Sequence, residues 1–170
     1  MRPVEVTGTY KLPYVVKPEW SSYLILTLLF GPFVIMCLSL ALFKDASFWQ
    51  GVILSSAYLL FIWLTIGSNK ISLLDDRIVC KSLISGWSLF ARMEMPYREM
   101  ARAEVVYGTR GRPGPALALY NGVGERAALI NIKPFSRRDL AIVGEVLSAK
   151  APQAQKIDTF GVIWPRQSRR

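Results

Sequence analysis

Leu24-Ile25-Leu26-Thr27-Leu28-Leu29-Phe30-Gly31-Pro32-Phe33-Val34-Ile35-Met36-Cys37-Leu38-Ser39-Leu40-Ala41-Leu42-Phe43 contains no charged side chain, and the charge-free stretch already begins at Trp20. Twenty residues of α-helix reach about 30 Å, the thickness of bilayer hydrocarbon. A second charge-free stretch runs from Ala46 to Asn69, with its apolar centre at Val52 to Ile66. Only Lys44 and Asp45 interrupt the two. They read as the antiparallel arms of one transmembrane hairpin: a first helix over 20–43, an external turn over 44–47 and a second helix over 48–69. The competing reading is a pair of core helices in a soluble protein. It fails because about a hundred remaining residues cannot cover two helices that are apolar all round.

The flanks support the hairpin. Trp20 and Tyr23 open the first span, and Phe43, Phe48 and Trp49 surround the turn, as expected of an interfacial aromatic belt. Pro32 follows Gly31 in mid-span, where membrane helices tolerate a distortion. Ser39, Gly51, Ser55, Ser56 and Ala57 offer small faces for helix packing. Arg2, Lys11 and Lys17 precede the first span, Lys44 alone lies in the turn, and the other 17 Lys and Arg follow the second span. The positive-inside rule then places both termini in the cytoplasm, which makes this a multi-pass protein of the cell inner membrane. The first span is too long for a signal-peptide core and reads as a retained anchor.

Composition narrows the chemistry. The 170 residues carry a net charge of +9 and no histidine, which excludes His-based triads, His metal ligands and His pH switches. Cys37 and Cys80 are too isolated for a disulfide framework or a CxxC metal site, and they suit a domain facing a reducing compartment. Neither span holds an ionisable residue, which argues against an ion or proton path. No cofactor or metal is expected, and no catalytic constellation is present, so the chain reads as a non-enzyme.

Residues 70–150 form a small cytoplasmic domain. Short β-like runs cover Ile71 to Leu74, Arg77 to Ile84, Phe90 to Pro96, Arg102 to Tyr107, Ala116 to Tyr120 and Arg126 to Ile132. Asp75-Asp76 and Asn121-Gly122 supply turns. In the third run Ala91, Met93 and Met95 alternate with Arg92 and Glu94. The spacing suggests an antiparallel meander curling into a barrel or bent sheet. Ser136-Arg137-Arg138-Asp139 is a capping-box pattern, after which Leu140, Val143, Val146 and Leu147 share one helical face until Ala151-Pro152. Residues 151–170 read as a mobile basic tail. Residues 1–19 form a cytoplasmic N-terminal segment, where alternation over Val4 to Tyr10 allows one further strand. The fold class is thus α+β: a membrane hairpin, an antiparallel β domain and a C-terminal capping helix.

Strands followed by one C-terminal amphipathic helix resemble a pleckstrin-homology-like (PH-like) domain, in particular the bacterial families in small membrane proteins. Three segments carry the resemblance. Ile71-Ser72-Leu73-Leu74-Asp75-Asp76-Arg77-Ile78-Val79-Cys80-Lys81-Ser82 looks like the opening hairpin. Met93-Glu94-Met95-Pro96-Tyr97-Arg98-Glu99-Met100 looks like the strand, proline and short turn that follow. Asn131-Ile132-Lys133-Pro134-Phe135-Ser136 is similar to the last strand-to-helix junction. The resemblance spans about residues 20 to 150 and implies binding or scaffolding rather than catalysis.

Two basic groups are candidate contacts for anionic lipid headgroups or phosphate. Arg110 and Arg112 lie in Gly108-Thr109-Arg110-Gly111-Arg112-Pro113-Gly114-Pro115, which otherwise reads as a breaker-rich β connection. It is not a P-loop, because no Gly-Lys-Ser/Thr follows. Lys133, Arg137 and Arg138 gather at the start of the last helix, where cations oppose the dipole unless an anion binds, and where a solvated face is the alternative. The acidic residues form no persuasive pair. Nucleic acid is not expected, because membrane topology already accounts for the positive charge. The expected function is a membrane-anchored interaction module that binds anionic lipid, a protein partner or a second copy. The alternative is an accessory subunit of a transporter or envelope-synthesis complex, and the more remote one is a membrane-embedded enzyme.

Overall fold

The computed structural model describes residues 11–44, 48–85, 88–109 and 112–164, with backbone alone at 83–85, 88–91, 109 and 112–113. The two apolar stretches are helices, α1 (Trp20–Phe43) and α2 (Trp49–Ser68). At 1.5 Å per residue they measure about 36 and 30 Å. Both are long and apolar enough to cross a membrane. Neither is a covered core helix: Cys37 and Ala41 are buried in α1, and no described residue of α2 is. α1 runs unbroken through Pro32.

The helices pack antiparallel along a seam of aromatic and small residues. Tyr23 meets Trp63 edge-on at 5.5 Å between ring centroids, and Phe30 meets Tyr58 at 5.7 Å. Gly51 leaves room for Cys37, whose Sγ lies 3.5 Å from where a Cβ would stand, and Gly67 faces the Tyr23 hydroxyl.

Six strands match the sequence expectation: β2 (Lys70–Leu73), β3 (Arg77–Ser85), β4 (Ser88–Pro96), β5 (Met100–Thr109), β6 (Arg112–Asn121) and β7 (Arg126–Asn131). Two more are short. β1 (Tyr14–Val16) precedes α1, and β8 (Gln155–Ile157) follows α3 (Arg137–Lys150). They form two four-stranded sheets, ordered β1-β2-β3-β4 and β7-β6-β5-β8, rather than a closed barrel. All neighbours are antiparallel except β5 and β8, which are parallel. The core between the sheets and α3 includes Ile71, Leu73, Ile78, Met95, Leu117, Leu119, Ile130 and Leu147. Leu140, Val143, Val146 and Leu147 are buried, as their helical spacing requires. Met95 is buried while Arg92 and Glu94 are exposed, which follows the strand alternation.

Three details depart from expectation. The N-terminal strand is Tyr14–Val16; Val4 to Tyr10 lie outside the described residues. The breaker-rich loop is mostly strand, because Gly108 (φ 66°), Gly114 (φ 131°) and a bulge between Tyr107 and Thr109 absorb the irregularity. The tail over 153–164 is ordered rather than mobile. Asp158 Oδ2 accepts from the Ile163 and Trp164 amides at 2.6 and 3.0 Å. Trp164 Nε1 donates to the Gly144 carbonyl at 3.1 Å. Only 165–170, the end of that tail, lie outside the described residues.

Gly144 makes this strap possible: a Cβ there would stand 2.8 Å from the Ile163 carbonyl oxygen, a backbone atom with no room to yield. Gly144→Val is expected to lift 158–164 off α3 and cost about 1–3 kcal/mol, as overpacking does. Hydrogen exchange checks this: the Ile163 and Trp164 amides lose protection, while those of β3 keep theirs.

Candidate functional site

The end of the β domain that joins the helices is built from three attachments. Asn69 is the only residue between α2 and β2. It is buried, its amide donates to the Ile66 carbonyl at 3.0 Å and its Nδ2 to the Thr65 carbonyl at 2.9 Å, so the joint is hydrogen-bonded rather than slack. At the other arm, the Pro134 carbonyl in the β7–α3 connection accepts from the Glu19 amide at 2.8 Å and from Ser22 Oγ at 3.3 Å. The third attachment is β1 itself, which pairs Val16 with Ile71 and Tyr14 with Leu73 immediately before α1 begins.

Tyr14 also reaches α3. Its hydroxyl donates to Asp139 Oδ1 at 2.8 Å, and Ser136 Oγ donates to Oδ2 of the same carboxylate at 2.7 Å. Ser136 in turn accepts from the Asp139 amide at 3.1 Å, the cap expected from the sequence. That hydrogen bond to Asp139, aided by burial, raises the Tyr14 pKa above its ordinary 10.0. The start of α3 therefore carries its own anion, and the dipole there is met by Asp139. Arg137 and Arg138 are exposed on the first turn around that capped carboxylate.

Of the sequence-predicted cations, Lys133, Arg137 and Arg138 fall at this end, around the β7–α3 connection. Lys133 is exposed beside Pro134, and its Cδ lies 3.7 Å from where a Cβ on Gly114 would stand. The start of β6, which opens with Arg112, thus runs beside Lys133; the Ile132 amide donates to the Pro115 carbonyl at 3.2 Å. Arg112 is placed by its backbone alone, and Arg110 lies outside the described residues.

Three further cations escaped the sequence analysis. Lys70 is the register partner of Lys81, and Lys81 is the register partner of Arg92. They form one row across β2, β3 and β4, with neighbouring strands about 4.8 Å apart, and all three are exposed. Like charges directly opposite one another in a sheet are destabilising. Arg92 is partly relieved by Glu94 at 2.6 Å. Among the described residues, neither Lys70 nor Lys81 pairs with a carboxylate. The signal for this row was the turn at Asp75-Asp76: counting outward from it pairs Lys70 with Lys81.

At the opposite end of the sheet, Asp75, Asp76, Arg77, Tyr97, Arg98 and Lys150 line an open cleft of about 500 Å³. Two of its charges pair with each other, Arg77 with Asp76 at 2.8 Å, and Arg77 also reaches Glu94 at 3.2 Å. The Arg77 guanidinium holds both carboxyls below their usual range, with Arg92 adding to the effect on Glu94. Neither carboxyl is poised as a proton donor near neutral pH. Cys80 is buried and its thiol pKa is pushed up by desolvation, so it is not a ready nucleophile. No group of three or more potential ligands for a metal is present among the described residues.

The Tyr14–Asp139 staple has a pH signature. A group whose pKa is raised on folding contributes stability that is full below the unfolded pKa and is lost as pH rises through the folded one. Wild-type stability is therefore expected to fall above pH 10 by an amount absent in Tyr14→Phe. At neutral pH that variant is expected to be less stable by about 1 kcal/mol, the net worth of a typical hydrogen bond. Denaturation of both proteins across pH 8 to 11 checks both outcomes. No protein-family model, curated protein or solved structure matches this chain.

Proposed function

We propose that this chain is a non-enzymatic membrane module: a two-helix anchor that holds a PH-like domain against the cytoplasmic face of a bacterial inner membrane, where its basic end engages anionic lipid headgroups. The observation that carries this is the Lys70–Lys81–Arg92 row. Three cations face each other at a cost in stability, and the first of them, Lys70, is separated from the end of an apolar helix by one residue. An anionic surface at that level converts the cost into attraction, worth about 1 kcal/mol per cation. Lys133, Arg137 and Arg138 extend the same positive end. The pairing of β1 with β2 supports the orientation, because it brings the two ends of the helical hairpin together on one side.

Two measurements test this. A reporter fused after Arg170 is expected to be active only in the cytoplasm, and a periplasmic signal overturns the orientation. The full chain in nanodiscs is expected to select phosphatidylglycerol over phosphatidylcholine at low salt. Lys70→Gln, Lys81→Gln and Arg92→Gln together are expected to weaken that selection by about 3 kcal/mol at most, at roughly 1 kcal/mol per cation. Equal retention of the two lipids by the wild-type chain defeats the lipid reading.

A further inference from the structure

The β3–β4 hairpin is longer than the sheet needs. β2 pairs with β3 only over Ile78 to Lys81, and its first residue, Lys70, sits opposite Lys81. β3 and β4 continue pairing beyond that point: Ser82 with Ala91, Ile84 with Leu89 and Ser85 with Ser88. Because β2 starts directly after α2, this extension points back toward the helices, and β3 packs against α2. Four residues past Lys81 amount to about 13 Å of strand. The sequence of the extension changes character at the same place. Ser82 to Ala91 carries no charge and includes Leu83, Ile84, Leu89 and Phe90, while Lys81 and Arg92 flank it as register partners. Gly86 and Trp87 lie outside the described residues.

We infer that the charge-free end of this hairpin dips into the lipid headgroup layer beside α2, so that the domain grips the bilayer with a β-finger as well as with two helices. The inference rests on the membrane reading above. The cation row sets the level: Lys70, Lys81 and Arg92 lie at the phosphates, and the apolar strands continue past them toward the acyl boundary. Backbone chemistry sets the limit of depth. Past Ser82, β3 has no strand partner on its β2 side among the described residues. Open sheet edges do not occur in hydrocarbon, because each unsatisfied N–H or C=O costs several kcal/mol there. The finger therefore lies aslant, so that its strands stay among headgroups and their water rather than entering hydrocarbon. Apolar area at that depth adds attraction, as it does for interfacial helices.

Spin labels on the full chain in liposomes test this. The native Cys37 and Cys80 are buried, so an introduced cysteine takes the label and the unsubstituted chain serves as the blank. Single cysteines are placed at Ser85 and Ser88 in the finger, at Ser39 in α1 as the lipid reference and at Ser72 in β2 as the aqueous reference. The expected result is an intermediate depth for both finger positions: more oxygen collisions and fewer nickel-chelate collisions than at Ser72, but a smaller shift than at Ser39. Finger labels that match Ser72 while Ser39 reads as lipid overturn the finger and leave the anchor standing. A Ser39 label that also reads as aqueous overturns both. Finger labels as deep as Ser39 overturn the headgroup placement. If the Ser88 substitution impairs folding, Ser85 alone decides.

Discussion

One buried residue, Asn69, is all the chain that separates an apolar helix from the first strand of the sheet it feeds. Its side chain and backbone both bond back onto the last turn of α2, so the joint has little torsional freedom. The rest of the molecule is arranged around that lack of slack. β1 enters the sheet edge immediately before α1, and the Pro134 carbonyl takes the Glu19 amide at the mouth of the same helix. Together the three attachments restrict how the domain is oriented on the helices. The domain cannot swivel on its anchor without breaking paired backbone groups, each worth about 1 kcal/mol and more if left buried and unpaired.

That rigidity gives the charges their meaning. On a domain tethered by a long linker, a row of cations would sample every direction. Here Lys70 is fixed at the end of α2, and strand register carries the same level across to Lys81 and Arg92. The opposite end of the sheet carries charges of both signs, and there Arg77 is held by Asp76 and Glu94. The contrast between a paired Arg77 at the distal end and a row of cations at the helix end is a property of the fold, whereas the sequence shows only their sum.

Much of this was legible in the residues, for identifiable reasons. The helices announce themselves by unbroken apolar length, and α3 by Ser136, Asp139 and the spacing of Leu140, Val143 and Leu147. β4 shows itself through the alternation of Met93, Glu94 and Met95. What escaped depends on partners far away in sequence. Tyr14–Val16 is three residues between prolines, too short to alternate, and is a strand only because Ile71 to Leu73 offers an edge. Gln155–Ile157 is a strand only because it lies parallel to β5. Gly144 reads as a weak point in a helix until Ile163 is seen lying across it. Strands near Gly108 and Gly114 were masked by residues that usually break them. Closure into a barrel was one of two options that the spacing left open, and the strands form two separate sheets instead.

The place of β1 in the chain has a consequence for how the protein is made. Synthesis delivers Tyr14–Val16 first, then both arms of the hairpin, and only afterwards the edge at Ile71 to Leu73 that β1 completes. Until α2 has folded back along α1, Val16 has no pocket and β2 has an open flank. An unpaired flank of this kind is a template for wrong pairings. Closure of the first sheet thus waits on both helices: β1 reaches its edge only once α2 has folded back along α1.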